Sequence, residues 1–343
     1  MPNDILTQAI DRVAGGEDLS ADEAARVLHE VMGGNASESQ AAAFLIALRT
    51  KGETVAEIAG LARTMRELSV KVDVDGVLVD TAGTGGGQPT FNVSTTAALI
   101  AAGSGCRVAK HGNRSATSRC GSADVLEALG ARIDLGPDAV ADCIESVGFG
   151  FMFAPLHHQA MRHVMPVRKE LGVRTIFNFL GPLTNPAGAL RQVIGVSDRR
   201  YLETIASALA ELGTERALVV SSADGLDEFS ASGATHVVEL SSGRIESYDV
   251  TPEELGVEPI GNGAVGAGEP EQNAAVLRSV VSGEDGPPRS LALLNAGAAI
   301  YVGGGAESIE AGVRRGEEAI ASGAAREVME KFVDRSRELG EDR

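Results

Sequence analysis

The chain has 343 residues, of which 43% are hydrophobic and 23% are charged, and its formal net charge is -18. A chain of this length and apolar content can bury a large core, which excludes a disordered protein and a small disulfide-stapled one. The acidic balance disfavours binding to nucleic acids, because that binding depends on cationic side chains that displace counterions from phosphates.

The N-terminus and the cysteines indicate the compartment. The opening MPNDILTQAI has neither the basic patch nor the apolar core of a signal peptide, and no run of about eighteen apolar residues is free of charges or glycines. Cys106, Cys120 and Cys143 lack the close spacing of a zinc or redox site, so we expect them to be reduced. We therefore expect a cytoplasmic protein with no membrane partner.

Residues 1–72 are predicted to form short helices. Three segments in this region fit the capping box, in which a Ser or Thr and a Glu or Gln three residues later each satisfy a free backbone N–H: Ser20 with Glu23, Ser37 with Gln40, and Thr54 with Glu57. Apolar residues follow at helical spacing, which predicts a compact all-helical region.

From Val77 onward, short apolar runs alternate with helical patterns. Strands are predicted at 77–80, 108–109, 149–153, 193–196 and 217–220, and helices at 94–102, 123–129 and 201–212. Such alternation predicts a largely parallel sheet covered by helices. Further predictions are one helix at 157–171 that returns to the helical region, a hairpin arm at 241–249, and C-terminal helices around a buried or strand-like 291–300.

A glycine cluster follows the first predicted strand, at Gly83-Thr-Gly-Gly-Gly87, and a helix start follows it at Ser94-Thr95. Glycines let the backbone approach a ligand with several N–H groups in one concavity, and the helix N-terminus adds a positive dipole, so the segment suits an anion. It lacks the lysine of a Walker loop. The alternative is a turn that merely permits a tight connection.

A basic segment, Lys110-His-Gly-Asn-Arg114, follows the next predicted strand and is itself followed by Ser115, Thr117 and Ser118. Cations, hydroxyls and backbone donors in this concentration suit a phosphate or a diphosphate. The alternative is a solvated loop in which Asp124 caps the following helix.

Two adjacent carboxylates, Asp227 and Glu228, lie just beyond the strand predicted at 217–220. Carboxylates at the carboxyl end of a strand can hold Mg²⁺, which takes oxygen ligands and shares them with substrate phosphates. Acidic dipeptides are also common in loops that bind nothing, and this alternative stays open on the pair alone.

Residues 157–171 are rich in cations. His158 and Arg162 stand four apart, which predicts a cationic face on the expected helix, and an arginine facing a cleft could hold a carboxylate through two parallel hydrogen bonds. No acidic residues accompany these histidines in a metal-ligating pattern, so His157 and His163 are interpreted as ordinary helix residues.

Several segments, taken in order, resemble the successive signatures of anthranilate phosphoribosyltransferases: GTGG with FNVST, KHGNR, GSADVLEALG, PVRKELGVRTIFNFLGPLTNP and GLDEF. The resemblance covers nearly the whole chain. It implies an α/β fold of the nucleoside phosphorylase and phosphoribosyltransferase kind, in which a mainly parallel central sheet is flanked by helices. The implied small all-helical domain comprises 1–72 with 156–186 returning to it, the larger α/β domain comprises 73–155 and 187–343, and the implied assembly is a homodimer.

The same resemblance implies a pentosyltransferase reaction. The phosphoribosyl group of phosphoribosyl pyrophosphate (5-phospho-α-D-ribose 1-diphosphate) would pass to the amine of anthranilate, giving N-(5-phosphoribosyl)anthranilate and pyrophosphate, as in the second step of tryptophan biosynthesis from chorismate. Mg²⁺ is the implied cofactor. No covalent nucleophile or obligatory base is implied, because an aromatic amine is already unprotonated at neutral pH.

The resemblance also assigns residues by position. The positions implied for phosphoribosyl pyrophosphate are Gly83, Gly86, Gly87, Thr90, Asn92, Val93, Ser94, Thr95, Lys110, His111, Gly112, Asn113, Arg114, Ser115, Ala116, Thr117, Ser118 and Ser122. Those implied for anthranilate are Gly83, His111, Asn113, His158, Arg168 and Gly181, with Arg168 facing the carboxylate. The implied magnesium ligands are Ser94, Asp227 and Glu228.

One departure and two rivals remain. The family commonly has an aspartate directly after GTGG, whereas Gly87 follows here and the loop is one residue shorter, so the number of metal ions stays open. A pyrimidine nucleoside phosphorylase would share the architecture, but KHGNR and the PVRKELGVRTIFN segment are better explained by the transferase. A non-catalytic nucleic-acid-binding relative should be basic, and this chain is acidic.

Overall fold

The computed structural model describes residues 2–115 and 119–341. Its described residues contain a seven-stranded sheet with the order β3-β2-β1-β4-β5-β6-β7. The strands are β1 (Val79–Gly83), β2 (Val108–Gly112), β3 (Phe149–Phe153), β4 (Arg191–Gly195), β5 (Arg216–Ser222), β6 (Thr235–Ser241) and β7 (Arg244–Val250). The prediction of a mainly parallel sheet is confirmed, because β1 to β5 run parallel and only β6 and β7 are antiparallel.

The register brings several strand ends to one edge. Gly83 of β1 pairs with Gly195 of β4, which pairs with Val220 of β5. Parallel strands present their carboxyl ends at a common edge, where open α/β sheets bind ligands. The glycine cluster, the basic segment and the acidic pair therefore all leave the sheet at this edge. At the far side, the hairpin predicted at 241–249 forms through Ser242 and Gly243, whose φ values of 50° and 79° are left-handed.

The N-terminal helices are α1 (Asp4–Ala14), α2 (Ala21–Met32), α3 (Glu38–Lys51) and α4 (Val55–Glu67). Both bonds of the predicted capping box form at Ser20 and at Thr54. At Ser37 only one forms, because the Gln40 side chain instead pairs with the backbone of Asn3 at 3.0 Å, which ties α3 to the start of α1. The all-helical prediction for this region is confirmed.

The remaining helices surround the sheet. They are α5 (Val93–Gly103), α6 (Ser122–Ala128), α7 (Pro137–Val147), α8 (Ala154–His157), α9 (Met165–Leu171), α10 (Phe177–Leu183), α11 (Leu202–Glu211), α12 (Pro270–Val281), α13 (Pro287–Gly303), α14 (Ile309–Ala321) and α15 (Ala324–Glu341). Short 3₁₀ turns occur at Gln159–His163 and Arg199–Tyr201. Within the described ranges, no helix combines the length and the apolar character needed to cross a membrane.

The prediction of one continuous helix at 157–171 is wrong. His158 leaves the helical region of the backbone with φ -117° and ψ 58°, a 3₁₀ turn follows, and α9 starts afresh with Pro166 in its first turn. Proline suits a helix start because it has no N–H to leave unsatisfied. His158 and Arg162 therefore do not share a helix face, and the cationic face expected from their spacing does not form.

Residues 291–300, left as buried or strand-like, lie in the helix α13. All of them are buried, and α13 packs against α5 and α14. A helix that is covered on every side has no polar face, so the alternation that normally marks an amphipathic helix is missing from its sequence.

Two hydrophobic clusters form the core. One joins β1 to β3 with α5, α13 and the C-terminal helices. The other joins the N-terminal helices, residues 164–183, α11 and one face of β4 to β6. The packing of 164–183 with α1 to α4 supports the expected return of this segment to the helical domain. The domain boundaries themselves stay a prediction.

Candidate functional site

The glycine loop, residues 83–90, connects β1 to α5 and needs its glycines for conformation. Gly85 and Gly86 have φ values of 64° and 87°, a region that other residues rarely adopt. The Gly85 N–H donates to Oδ2 of Asp227 at 3.1 Å. The Gly85 carbonyl accepts from Nη1 of Arg174 at 2.6 Å and from Oγ of Ser197 at 3.0 Å.

Gly83 and Gly87 are required for a different reason, which is the close approach of Asp227. A Cβ at Gly83 would lie 2.9 Å from Oδ2 of Asp227, and one at Gly87 would lie 2.5 Å from its Oδ1. The first member of the acidic pair is thus packed against the loop that follows β1. This contact joins two of the segments that the sequence indicated separately.

The N-terminus of α5 lies beside the loop. Ser94 and Thr95 occupy its first turn, where free N–H groups and the helix dipole favour an anion. Oγ1 of Thr95 and Oγ1 of Thr84 are buried without a hydrogen-bond partner among the described residues. Buried polar atoms are normally paired, so a ligand in contact with the loop and the first turn of α5 would supply the partner that these hydroxyls lack.

Asn92, another predicted substrate residue, has its side chain engaged within the protein. Its Oδ1 accepts from Nδ2 of Asn273 at 2.9 Å and from Sγ of Cys120 at 3.1 Å, and its Nδ2 donates to the Cys120 carbonyl at 3.2 Å. The side chain therefore fastens Cys120, which lies just before α6, and the start of α12 to the N-terminus of α5. Val93 follows it in the same turn and is buried in the core.

Lys110 is the cation nearest the start of α5. Only 2% of it is exposed, and its Nζ donates to the Thr81 carbonyl at 2.5 Å and approaches Oγ of Ser94 at 3.3 Å. Burial lowers the pKa of Lys110 to about 8, although the charges of Asp80 and Glu228 act in the opposite direction. The side chain thereby links β1, β2 and α5 at the point where the acidic pair approaches.

His111 and His158 meet beside α10, with their ring centroids 5.0 Å apart. Nδ1 of His111 contacts the Gly181 carbonyl at 3.2 Å, and Nε2 of His158 contacts the Thr184 carbonyl at 3.1 Å. Burial lowers the pKa of His158 to about 4 and that of His111 well below its usual range, so both rings are neutral. Three positions predicted for anthranilate, at 111, 158 and 181, are thus neighbours.

A buried carboxylate that the sequence reasoning missed supports this corner. Asp80 accepts from the His111 N–H at 3.1 Å and from Nδ2 of Asn185 at 2.7 Å, and Nδ2 of Asn185 also donates to the Ala109 carbonyl at 2.8 Å. Burial raises the pKa of Asp80, against the attraction of Lys110. The available signal was an aspartate that ends the apolar run at 77–79.

Arg114, the last residue of the basic segment, is paired with carboxylates of the protein. Arg114 pairs with Asp124 at 2.9 Å and with Glu127 at 2.5 Å, both in α6. Asp124 also accepts from the Gly121 and Ser115 N–H groups, so the helix-cap alternative describes it correctly. The Asn113 carbonyl accepts from Oγ of Ser122 at 3.3 Å, and Gly112 ends β2. The predicted residues Ala116, Thr117 and Ser118 lie outside the described residues.

The acidic pair is held by the loops around it. Oε2 of Glu228 accepts from Oγ1 of Thr90 at 3.2 Å, while Asp227 accepts from Gly85. Burial raises the pKa of Asp227, and burial together with the neighbouring Asp227 raises that of Glu228 well above its usual range. Two buried carboxylates this close favour a proton or a cation between them.

The donor set fits Mg²⁺ that shares its ligands with a substrate. Asp227 and Glu228 supply oxygen ligands, and the described residues contain no group of three or more His, Cys, Asp or Glu side chains that could hold a metal alone. Mg²⁺ is usually held by one or two carboxylates and by phosphate oxygens. The hydroxyl of Ser94 is in contact with Lys110, which in turn feels the charge of Glu228.

Arg168 projects from α9 and stacks over Phe177 of α10, with its guanidinium carbon 5.5 Å from the ring centroid. Burial lowers its pKa, yet no carboxylate among the described residues lies within ion-pair distance of it. A half-buried guanidinium without an anionic partner is suited to a ligand carboxylate. Arg162 by contrast is exposed and contacts His163 at 3.1 Å.

Comparisons with known proteins give consistent results. A family model described as "Glycosyl transferase family, a/b domain" matches residues 75–326, and one described as "Glycosyl transferase family, helical bundle domain" matches 7–69. The chain is 53% identical over 337 residues to an anthranilate phosphoribosyltransferase of Rubrobacter xylanophilus, covering 98% of each chain. It is 48% identical over 340 residues to one of Halorhodospira halophila, covering 98% of this chain and 99% of the relative.

Solved structures agree with the sequence relatives. The anthranilate phosphoribosyltransferase of Thermus thermophilus superposes with a TM-score of 0.91 at 46% identity, over 96% of this chain and 99% of that one. The enzyme of Saccharomyces cerevisiae, solved in complex with phosphoribosyl pyrophosphate and magnesium, superposes with a TM-score of 0.88 at 29% identity, over 97% and 98% of the two chains. The same yeast enzyme has been solved with 4-fluoroanthranilate.

Proposed function

Because this chain belongs to the anthranilate phosphoribosyltransferase family, we propose that its reaction takes place at the carboxyl edge of the sheet, between the glycine loop and α9. The chain transfers the phosphoribosyl group of phosphoribosyl pyrophosphate to the anthranilate amine, which releases pyrophosphate and is the second step of tryptophan biosynthesis from chorismate.

The diphosphate is placed against the glycine loop, the first turn of α5 and Lys110. The single observation that carries this placement is the set of contacts that joins the three segments: Gly85 to Asp227, Thr90 to Glu228, and Lys110 to Ser94. Free N–H groups and a cation on one side neutralise phosphate charge, and the carboxylates on the other hold its counterion. The yeast relative solved with phosphoribosyl pyrophosphate and magnesium supports the use of both ligands by this chain.

Mg²⁺ is assigned to Asp227 and Glu228, with Ser94 nearby and the remaining ligands supplied by the substrate. When bound, the ion neutralises the charge that develops on the departing pyrophosphate. Without a cation the ionised forms of both carboxyls are unfavourable, because burial raises the pKa of each and the neighbouring Asp227 raises that of Glu228 further. The aspartate that the family commonly has after GTGG is missing here. Among the described residues, Asp227 and Glu228 are the carboxylates that accept hydrogen bonds from the glycine loop.

Anthranilate is placed beside His111, His158 and Gly181, with its carboxylate toward Arg168. The neutral imidazoles give an aromatic ring an uncharged surface, and the guanidinium supplies the charge that the carboxylate needs. An aromatic amine attacks C1 of the ribose as the free base, so the chain has to orient it and exclude water that would otherwise hydrolyse the activated sugar.

Turnover of purified variants tests the placement. Glu228→Gln is expected to lower pyrophosphate release from anthranilate and phosphoribosyl pyrophosphate by about a hundredfold or more, since it removes a charged ligand of the metal. The matched control is Glu330→Gln, an exposed carboxylate of α15. Full activity in Glu228→Gln would place the metal elsewhere, and phosphate-dependent cleavage of a pyrimidine nucleoside by the parent would revive the phosphorylase rival.

We also propose a homodimer and a cytoplasmic location, both as implied by the family resemblance. Light scattering after size exclusion is expected to give twice the mass of the chain, and a monomer at micromolar concentration would contradict the dimer. Cell fractionation tests the location, and recovery of the protein in an extracellular or membrane fraction would contradict it.

A further inference from the structure

A guanidinium bridges the helical part of the molecule and the glycine loop. Arg174 lies in the short connection between α9 and α10, helices that pack with α1 to α4. Its Nη1 donates to the Gly85 carbonyl at 2.6 Å and its Nη2 donates to the Thr84 carbonyl at 3.2 Å. The donors of a guanidinium are fixed in one plane, so two successive carbonyls are held in a defined relation.

The N–H groups of the same two peptide units also have fixed directions. The peptide unit between Thr84 and Gly85 is gripped at both ends, because its N–H donates to Asp227 at 3.1 Å. The next unit is gripped at its carbonyl by Arg174 and Ser197. In a trans peptide the N–H points opposite to the carbonyl, so the Gly86 N–H faces away from Arg174. It has no acceptor among the described residues.

Gly86 provides a second, independent observation. Its φ of 87° is left-handed, and a Cβ built on it would overlap Nη1 of Arg174. The loop thus has a glycine at the one position where any side chain would displace the guanidinium. Room for Arg174 is therefore part of the reason for the glycine, beyond the conformation of the turn.

We propose that Arg174 is a positioning residue that ties the glycine loop to the helical part and aims the Gly86 N–H at the diphosphate of phosphoribosyl pyrophosphate. The inference rests on the proposed placement of the diphosphate against this loop. Because α9 carries Arg168 and ends at Leu171, three residues before Arg174, one short segment holds both the anthranilate side and the loop that binds the other substrate. A shift of α9 and α10 therefore also moves the backbone N–H groups of the glycine loop that face the diphosphate.

Kinetics should show this role as an effect on one substrate. Arg174→Ala is expected to raise the KM for phosphoribosyl pyrophosphate by about tenfold or more, as expected for the loss of hydrogen bonds from a charged donor, with a much smaller change in kcat. Arg174→Lys keeps the charge but reaches only one of the two carbonyls, so its KM should fall between those of the parent and Arg174→Ala. Arg326→Ala in α15 removes an exposed guanidinium and should leave both constants unchanged.

Hydrogen exchange of residues 83–90 separates this inference from the placement on which it depends. In the parent, phosphoribosyl pyrophosphate with Mg²⁺ should slow exchange in this segment; no protection there would overturn the placement of the diphosphate. Given protection in the parent, Arg174→Ala should lose most of it at equal fractional saturation, whereas Ser197→Ala, which leaves the bridge to the helical part intact, should retain it. Equal protection and equal KM values in the parent, Arg174→Ala and Arg174→Lys would overturn the role of Arg174. If Arg174→Ala does not fold, Arg174→Lys carries the same test.

Discussion

Lys110 shows how burial affects the charge of a side chain beside the start of α5. Its neighbours are Thr81 and Ser94, and its nearly complete removal from water lowers its pKa to about 8. A bound diphosphate favours the charged form, so binding raises this pKa and takes up a proton near pH 8. The sign follows: affinity for the diphosphate falls as the pH rises through the pKa of the free protein.

We predict that kcat/KM for phosphoribosyl pyrophosphate falls above about pH 8, because this parameter reports groups of the free enzyme. Lys110→Met should lower kcat/KM at neutral pH and remove the alkaline limb. The measurement is the pH profile of both proteins at saturating anthranilate. An unchanged alkaline limb in Lys110→Met would assign the titration to another group.

Arg168 is expected to act on the other substrate. Arg168→Ala should raise the KM for anthranilate far more than that for phosphoribosyl pyrophosphate, by an amount corresponding to about 2 to 5 kcal/mol for the loss of a buried charge partner. Arg162→Ala is the control, because Arg162 lies on the same segment but is exposed. Initial rates at varied anthranilate measure the effect, and equal KM values in both variants would refute the role of Arg168.

The sequence indicated the charged side chains that directly follow a predicted strand. Lys110, Asp227 and Glu228 follow predicted strands, and parallel strands bring such residues to one edge. Arg174 and Asp80 were missed because their importance lies in tertiary neighbours, namely the carbonyls of the glycine loop and the His111 N–H. Arg114 pairs with two carboxylates of α6, which spacing alone does not reveal, and its contact with phosphoribosyl pyrophosphate stays a prediction.

At the scale of elements, the shortened glycine loop has a measurable consequence. Gly87 lies against Asp227, so Gly87→Asp would force two carboxylates into contact and displace Asp227. We predict that this substitution lowers activity, whereas insertion of an aspartate between Gly86 and Gly87 lengthens the loop and changes the magnesium optimum. Activity titrated with Mg²⁺ measures both.

Gly105→Asp is a suitable control for the added charge, because a Cβ there meets no other atom within 4 Å, although its φ of 100° makes the substitution strained. Its magnesium optimum should equal that of the parent. An insertion variant with the magnesium optimum of the parent would contradict the interpretation of the loop as the place where the family's aspartate is missing.

Helices and strands were predictable from the sequence where one face is exposed to water. They were not predictable where tertiary contacts determine the conformation of the backbone. The boxes at Ser20 and Thr54 start helices as expected, because a capping box depends only on residues within one turn. The break at His158 was not visible, because the His158 ring contacts the Thr184 carbonyl, which lies just beyond the end of α10 and far along the chain. The helix α13 was ambiguous because burial on all sides removes periodicity.

For the whole molecule, sequence patterns predicted a parallel sheet and a helical region but not the strand order. That order places β1 between β2 and β4, so the glycine loop lies between the basic segment and the strand that leads to Ser197. Pairing across long separations depends on contacts that local patterns do not encode. The family resemblance added the division into a helical domain and an α/β domain, but it did not give the strand order either.

The acidic pair links the site to the stability of the whole molecule. Both carboxyl pKa values are raised in the folded chain. The unfolded chain therefore ionises more readily, and the free energy of unfolding falls as the pH rises above the ordinary carboxyl range. This loss of stability is reversed when the pH is lowered through the raised pKa values and both carboxyls are protonated again. We predict that Asp227→Asn with Glu228→Gln raises the Tm in EDTA at neutral pH. Mg²⁺ with pyrophosphate should raise the Tm of the parent and not that of the variant.

Thermal unfolding in EDTA at pH 5 and pH 8 provides the internal control. The difference in Tm between the double variant and the parent should be larger at pH 8. Equal Tm values for parent and variant at both pH values, with the same response to Mg²⁺ and pyrophosphate, would show that the two carboxylates neither repel each other nor hold the ion.

A crystal structure of the protein with phosphoribosyl pyrophosphate and Mg²⁺ tests the proposed placement of the diphosphate most directly. We predict a diphosphate within hydrogen-bond distance of the Gly86 N–H and Lys110, with the ion liganded by Asp227 or Glu228. A diphosphate bound away from residues 83–95, or an ion held without either carboxylate, would contradict it.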